Sequence, residues 1–187
     1  MIITISGKPG SGKSSVAKLL VGRLKAKVIF VGDVRRKIAK EKGMTLSELN
    51  DYAETHPETD VDVDKKISEQ AKKMEGDYVV VEGRTQFHFL PDSVKVFIKV
   101  ALEVGADRIW KALQEGDVDR RNEGDLRSIE DVQKEIINRI KSDDIRYNNY
   151  YGIDIEDEVN YDLIIDSTDL TIEETVKKVI EFIKEKA

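Results

Sequence analysis

The stretch GKPGSGKSS, residues 7–15, decides how the rest of the chain is read. It follows IITIS (2–6), a short apolar run rich in β-branched residues that reads as a buried strand. It leads into a helix expected over 13–25, whose Val16, Leu19, Leu20 and Leu24 fall on one face. Gly7, Gly12, Lys13 and Ser14 match the spacing G-x-x-x-x-G-K-S in full. Glycines let the backbone turn so tightly that successive N–H groups point inward at an anion. The helix beginning at Lys13 adds the positive end of its dipole. Gly7, Lys8, Pro9, Gly10, Ser11, Gly12, Lys13, Ser14 and Ser15 are therefore expected to cradle the phosphates of a nucleoside triphosphate. In that cradle Lys13 reaches the β- and γ-phosphates and the Ser14 hydroxyl ligates Mg²⁺.

Beyond the loop, strands alternate with helices. KVIFV (27–31), the apolar centre of DYVVVEGR (77–84), VKVFIKV (94–100) and DLIID (162–166) read as four further strands. Asp33 is a candidate cap for a helix ending near Gly43, and TLSE (45–48) has the spacing of a capping box. Pro57 breaks the pattern before a helix that ends near Met74. A final amphipathic helix opens with TIEE (171–174). This alternation implies an α/β three-layer P-loop NTPase fold with a five-stranded parallel sheet, ordered 2-3-1-4-5. One domain is expected over 1–187, carrying two inserts too polar to be core. These lie at 44–76, on the acceptor side, and at 115–128, as a lid, and both read as mobile flaps.

Of the 187 residues, 40% are hydrophobic and 36% charged, and the net charge is −6. An acidic chain gains nothing from a nucleic-acid backbone, so nucleic acid is not an expected partner. Cysteine is absent, which excludes a disulfide framework, a thiolate zinc site and a thiol nucleophile. No apolar run reaches the roughly 20 residues that span a membrane, and the N-terminus lacks a signal-peptide pattern. A cytoplasmic protein, monomeric or a small homo-oligomer, is expected.

What happens to the bound phosphate depends on the remaining cations. A GTPase would need a guanine-reading NKxD and a DxxG after the third strand; neither is present. A phosphotransferase needs cations for an acceptor and a water-excluding lid. Arg35 and Arg36 follow the second strand and Arg84 the third, at strand ends that line the crevice in α/β sheets. Arg36 and Arg84 can converge on one anion, gripping it through paired guanidinium donors; Arg35 reads as solvated. Glu82 is placed to hold Mg²⁺ through water or to pair with Arg84 or Lys13. Arg139 and Arg146, seven residues apart, flank the stripe Ile129, Val132, Ile136 and Ile140 and can neutralise charge developing in transfer. Arg120, Arg121 and Arg127 lie in the lid insert, Arg120 as a donor-phosphate contact. Asp60 and Asp64 can read a base amino group, or can simply open a charged helix. His56 and His88 read as ordinary, and Trp110, Tyr147, Tyr150 and Tyr151 as packing residues.

Together, ITISGKPGSGKSSVAKLL, GDVRRKIAKEKGMTLSEL, YAETHPETDVDVD, VVVEGR and RYNNYYGIDI with YDLIIDST resemble the archaeal-type cytidylate kinases, within the nucleoside monophosphate kinases. The resemblance implies transfer of the ATP γ-phosphoryl group to CMP or dCMP with Mg²⁺. It also implies that Arg36 and Arg84 hold the acceptor phosphate and that Arg139 and Arg146 act near the transferring group. Adenylate or uridylate kinases, a P-loop kinase with an alcohol acceptor and Asp33 as its base, and a non-catalytic nucleotide-binding module are the alternatives.

Overall fold

Five strands run parallel in the order β2-β3-β1-β4-β5, as the alternation of elements predicts. The computed structural model describes residues 1–116 and 126–186. β1 (Ile2–Gly7) is the central strand, paired with β3 (Val79–Glu82) and β4 (Val94–Lys99). β2 (Lys27–Phe30) and β5 (Leu163–Asp166) form the two edges. Ile3, Ile5, Val80 and Val81 have no exposed surface, which is why these strands read as unbroken apolar runs rather than alternating ones. The register sets Ile5 and Phe30 beside Glu82, so the carboxyl ends of β1, β2 and β3 open at one level.

α1 (Lys13–Leu24) buries Val16, Ala17 and Leu20 against the sheet, beside α8 (Ile172–Lys186), whose Val176, Val179 and Ile183 complete that layer. The opposite layer is built on Ile29, Val31, Val79 and Val81, with Ile67 and Ala71 from α4 (Glu58–Lys73). α6 (Leu102–Gln114) packs on α7 (Ile129–Tyr151) through Ala106, Ile109, Val132 and Ile136. α6 also presses on the glycine loop. A Cβ on Gly10, at φ 75°, would lie 2.3 Å from the Gly105 carbonyl oxygen, so only glycine fits there. Among the described residues no helix is long and apolar enough to cross a membrane.

Several expectations change. α2 (Val31–Glu41) begins directly after β2, capped by Phe30 without a side-chain bond. Asp33 therefore lies inside its first turn, where an acid faces the favourable end of the dipole, and is not the cap. α3 (Leu46–Ala53) does open on the capping box of Thr45 and Glu48. The segment 44–76 is no coreless flap: Leu46, Leu49, Ala53, Ile67 and Ala71 are buried. Its small apolar residues are spaced among acids, which hid a thin but complete inner face. A short α5 (Gln86–Phe89), absent from the sequence reading, turns the chain after β3.

If α3 is an integral part of the fold, Leu49→Ala should cost roughly 2–5 kcal/mol, as truncation of a buried leucine does. A urea midpoint shift of that size checks it; an unchanged midpoint would return 44–76 to the status of a flap.

Candidate active site

The glycine loop delivers an open helix end. α1 has Gly12 as its N-cap, at φ 81°, with no side-chain cap. The first-turn N–H groups of α1 are thus left for an anion. The loop is tied from behind: the Lys8 N–H donates to the Ile98 carbonyl at 3.2 Å, and the Ser167 hydroxyl donates to the Ser11 carbonyl at 3.1 Å. Lys13 folds over it, with Nζ 3.4 Å from the Lys8 carbonyl and 4.0 Å from a Glu82 carboxylate oxygen. The Lys8 ammonium pairs with Glu156 at 3.0 Å.

Two compartments adjoin here. Pro9, Gly10, Lys13, Ser14, Ser15, Asp33, Arg36, Glu82 and Arg139 line the first. Arg35, Asn50, Asp60, Asp64, Arg84, Thr85, Asp143 and Tyr147 line the second. Lys13, Gly32, Glu82 and Arg139 border both, so they form one crevice with a common wall.

The acidic and basic side chains of the second compartment are buried as a chain of opposite charges. Arg84 pairs with Asp143, and Asp143 with Arg146, both without appreciable exposure. Arg146 donates to Asp60 at 2.5 Å, and Asp60 also accepts from Arg35, whose other terminal nitrogen reaches the Asn50 side-chain oxygen at 2.9 Å. Asp64 accepts from the Thr85 hydroxyl at 2.8 Å, the Gln86 amide at 2.9 Å and the Tyr151 hydroxyl at 2.8 Å. Burial draws Arg84 down to about 9, helped by Arg139 and Arg146, and it remains a cation at neutral pH.

The sequence-predicted residues divide accordingly. Of the cradle residues, Pro9, Gly10, Lys13, Ser14 and Ser15 gather at the crevice with Glu82, Arg36, Arg84 and Arg139; Gly7, Lys8, Ser11 and Gly12 line neither compartment. Arg36 and Arg84 line different compartments, and Arg36 is held by Asp33 at 2.5 Å. Arg35 is not solvated; the partners Asp60 and Asn50 draw it in. Asp60 and Asp64 are buried walls of the second compartment rather than a solvated helix start. Arg146, 1% exposed, lies between Asp60 and Asp143 and lines neither compartment, so it does not run along the crevice edge with Arg139. Two intervening helical turns do not carry it to the same place, because its guanidinium is captured by acids on α4 and α7. Arg120 and Arg121 lie outside the described residues. Arg127 is placed, its N–H donating to Asp131 at 3.2 Å. Sequence reasoning missed Asn50, Thr85 and Asp143; the last had a signal, standing four residues after Arg139 and three before Arg146 on one helix face.

An AAA domain family model matches residues 3–138. The cytidylate kinase of Methanococcoides burtonii is 38% identical over 185 residues, 97% of either chain. That of Archaeoglobus fulgidus is 38% identical across 100% of this chain and 96% of its own. That of Methanothrix thermoacetophila is 41% identical over 167 residues, covering 89% and 88%. The chain belongs to the cytidylate kinase family. Solved structures carry the same fold at low identity. A shikimate kinase from Bacteroides thetaiotaomicron matches with TM-score 0.63 at 15% identity, and an uncharacterized protein from Eubacterium ventriosum with 0.68 at 17%, each over 98% of both chains. As a member of the cytidylate kinase family, the chain is a nucleoside monophosphate kinase.

Within this family member, Asp64 has a titration of its own. Burial pushes its carboxyl up to about 6, against the pull of the Thr85 and Tyr151 hydroxyls. The folded chain therefore holds that proton more tightly than the unfolded chain, and stability from this group falls as pH rises from about 4 to about 6. Asp64→Asn cannot titrate. Urea midpoints measured from about pH 4 to about pH 7 should shift in favour of the variant relative to the wild type as pH rises. A gap independent of pH would contradict the buried carboxyl.

Proposed function

We propose that the chain transfers the γ-phosphoryl group of ATP to CMP or dCMP, giving CDP or dCDP and ADP, with Mg²⁺. The observation that carries this reading is the pair of adjoining compartments with Lys13 and Arg139 on their common wall. A donor held by the glycine loop and an acceptor held by Arg84 then face each other across one phosphorus. In-line transfer of this kind relies on position and electrostatics, and the acceptor oxygen is already anionic, so no histidine base is required.

Each side chain takes a role. Backbone N–H groups of Gly10 and Gly12–Ser15 hold the donor phosphates, with Lys13 as a point charge on the β- and γ-groups. The Ser14 hydroxyl and the Glu82 carboxylate share the first compartment and are hard oxygen donors, which suits Mg²⁺. Bound there, the ion would neutralise phosphate charge. Arg84 holds the acceptor phosphate from the second compartment, Arg36 turns to it from the first on leaving Asp33, and Arg139, on the common wall, meets the charge that develops in transfer. Arg146 braces this set from behind through Asp143. Asp60 and Asp64, with Arg35 and Asn50, form the base end, where an amino donor meets carboxylates. In this reading 44–76 is the acceptor-binding part of one kinase domain, and 115–128, with Arg120, is its lid. The cytoplasm is the expected location. For an alcohol acceptor the only evident base is Asp33, which is paired with Arg36.

A coupled ADP-release assay with ATP and a panel of CMP, dCMP, UMP, AMP and GMP tests the proposal. Strong preference for the cytidine pair is expected, and turnover of none of the five would defeat it. Lys13→Ala should lower kcat at least about a hundredfold, the scale for removing a preorganised charge at the transferring group. Arg36→Ala should act mainly on the acceptor KM, and an unchanged acceptor KM would remove Arg36 from the site.

A further inference from the structure

Asp143 is the junction of the buried charge chain, and none of the motifs pointed to it. It projects from α7, three residues before Arg146, and is 2% exposed. Its two oxygens are divided: Oδ1 accepts from Arg146 Nη2, and Oδ2 pairs with Arg84 Nη1. Arg146 is itself fixed by Asp60 at 2.5 Å, so Asp143 is anchored on one side before it reaches Arg84 on the other. The second terminal nitrogen of Arg84, Nη2, is buried and makes no hydrogen bond within the described residues, although Arg84 lines the second compartment. Asp143 Oδ2 is likewise buried without a hydrogen bond, so opposite charge rather than a saturated hydrogen-bond set holds the pair together. Arg139 and Arg146 stand close enough to disfavour the Arg84 charge, so without an acid between them the arginines would separate.

We propose that Asp143 is a positioning residue for the acceptor: by pairing with Arg84 Nη1 it fixes the Arg84 guanidinium at the wall of the second compartment, where the acceptor phosphate would meet it. This rests on the reading of the crevice as a phosphoryl-transfer site. Asp143 touches neither nucleotide in this account; it acts through Arg84, and its charge also keeps Arg84 and Arg146 side by side.

Steady-state kinetics of the full chain, varying CMP at saturating ATP and then the reverse, test it. Asp143→Asn keeps the shape and loses the charge; it should raise the KM for CMP at least about tenfold, with the KM for ATP within about twofold and kcat within about threefold. Asp143→Glu keeps the charge on an arm one methylene longer, and should raise the CMP KM by less but still beyond about twofold. A CMP KM unchanged in either variant, or equal rises in both KM values, overturns the assignment. If the Asn variant gives no cooperative thermal melt, the Glu variant decides on the same criteria. A wild-type chain that does not turn over CMP would instead defeat the proposed function, and this inference with it.

Discussion

The second compartment of the crevice depends on one constraint: four buried charges and the half-buried Arg35 must offset each other in a row. Arg35, Asp60, Arg146, Asp143 and Arg84 alternate in sign across α2, α4, α7 and the turn after β3. Each would cost several kcal/mol to bury alone, because a low-dielectric interior cannot replace its water. Paired in series they can stay inside, but only if all four elements stand at the right distance. Hydrophobic packing brings those elements together without specifying their register this finely; the charges do specify it.

The donor side is governed differently. It is mostly backbone: a loop held open by glycines, tied to β4 and to the segment after β5, and pressed by Gly105 of α6. Backbone N–H groups carry partial charge without the desolvation problem of an ion. Charged side chains, Lys13, Asp33, Arg36, Glu82 and Arg139, stand around that array. Lys13 bends toward the Lys8 carbonyl and toward Glu82, a buried acid held within the β-ladder beside Ile5 and Phe30.

These two designs were not equally legible in the sequence. The glycine loop, five strands, sheet order and capping boxes are local or topological, and each has a pattern with a fixed period or spacing. Glu82 and Arg84 sit at the end of β3 and Lys13 opens α1 after the loop from β1, so topology alone brought them to the crevice. The buried row was not legible in that way. Asp60 and Asp64 lie in a run of alternating acids, ETDVDVD, which looks like a solvated helix start. Their burial depends on partners 21 to 87 positions distant, namely Arg35, Thr85, Arg146 and Tyr151. Charge alone cannot distinguish an acid facing water from one facing a distant arginine. Arg35 was misread for the same reason, and Arg146 was placed by helical phase without regard to what would capture it.

The acids of the second compartment also bear on discrimination. A site built only of Lys13, Arg35, Arg84, Arg139 and Arg146 would attract any polyanion, the donor triphosphate included. Asp60, Asp64 and Asp143 cancel most of that charge within the walls of the second compartment. A triphosphate threaded into this space would meet those carboxylates, and like charges at short range are costly when partly desolvated. On the proposed reading the two halves of the crevice differ in kind: one is largely an array of backbone dipoles that tolerates several negative charges, the other a nearly balanced ionic row suited to a single phosphate. On that reading, the difference keeps donor and acceptor from exchanging places.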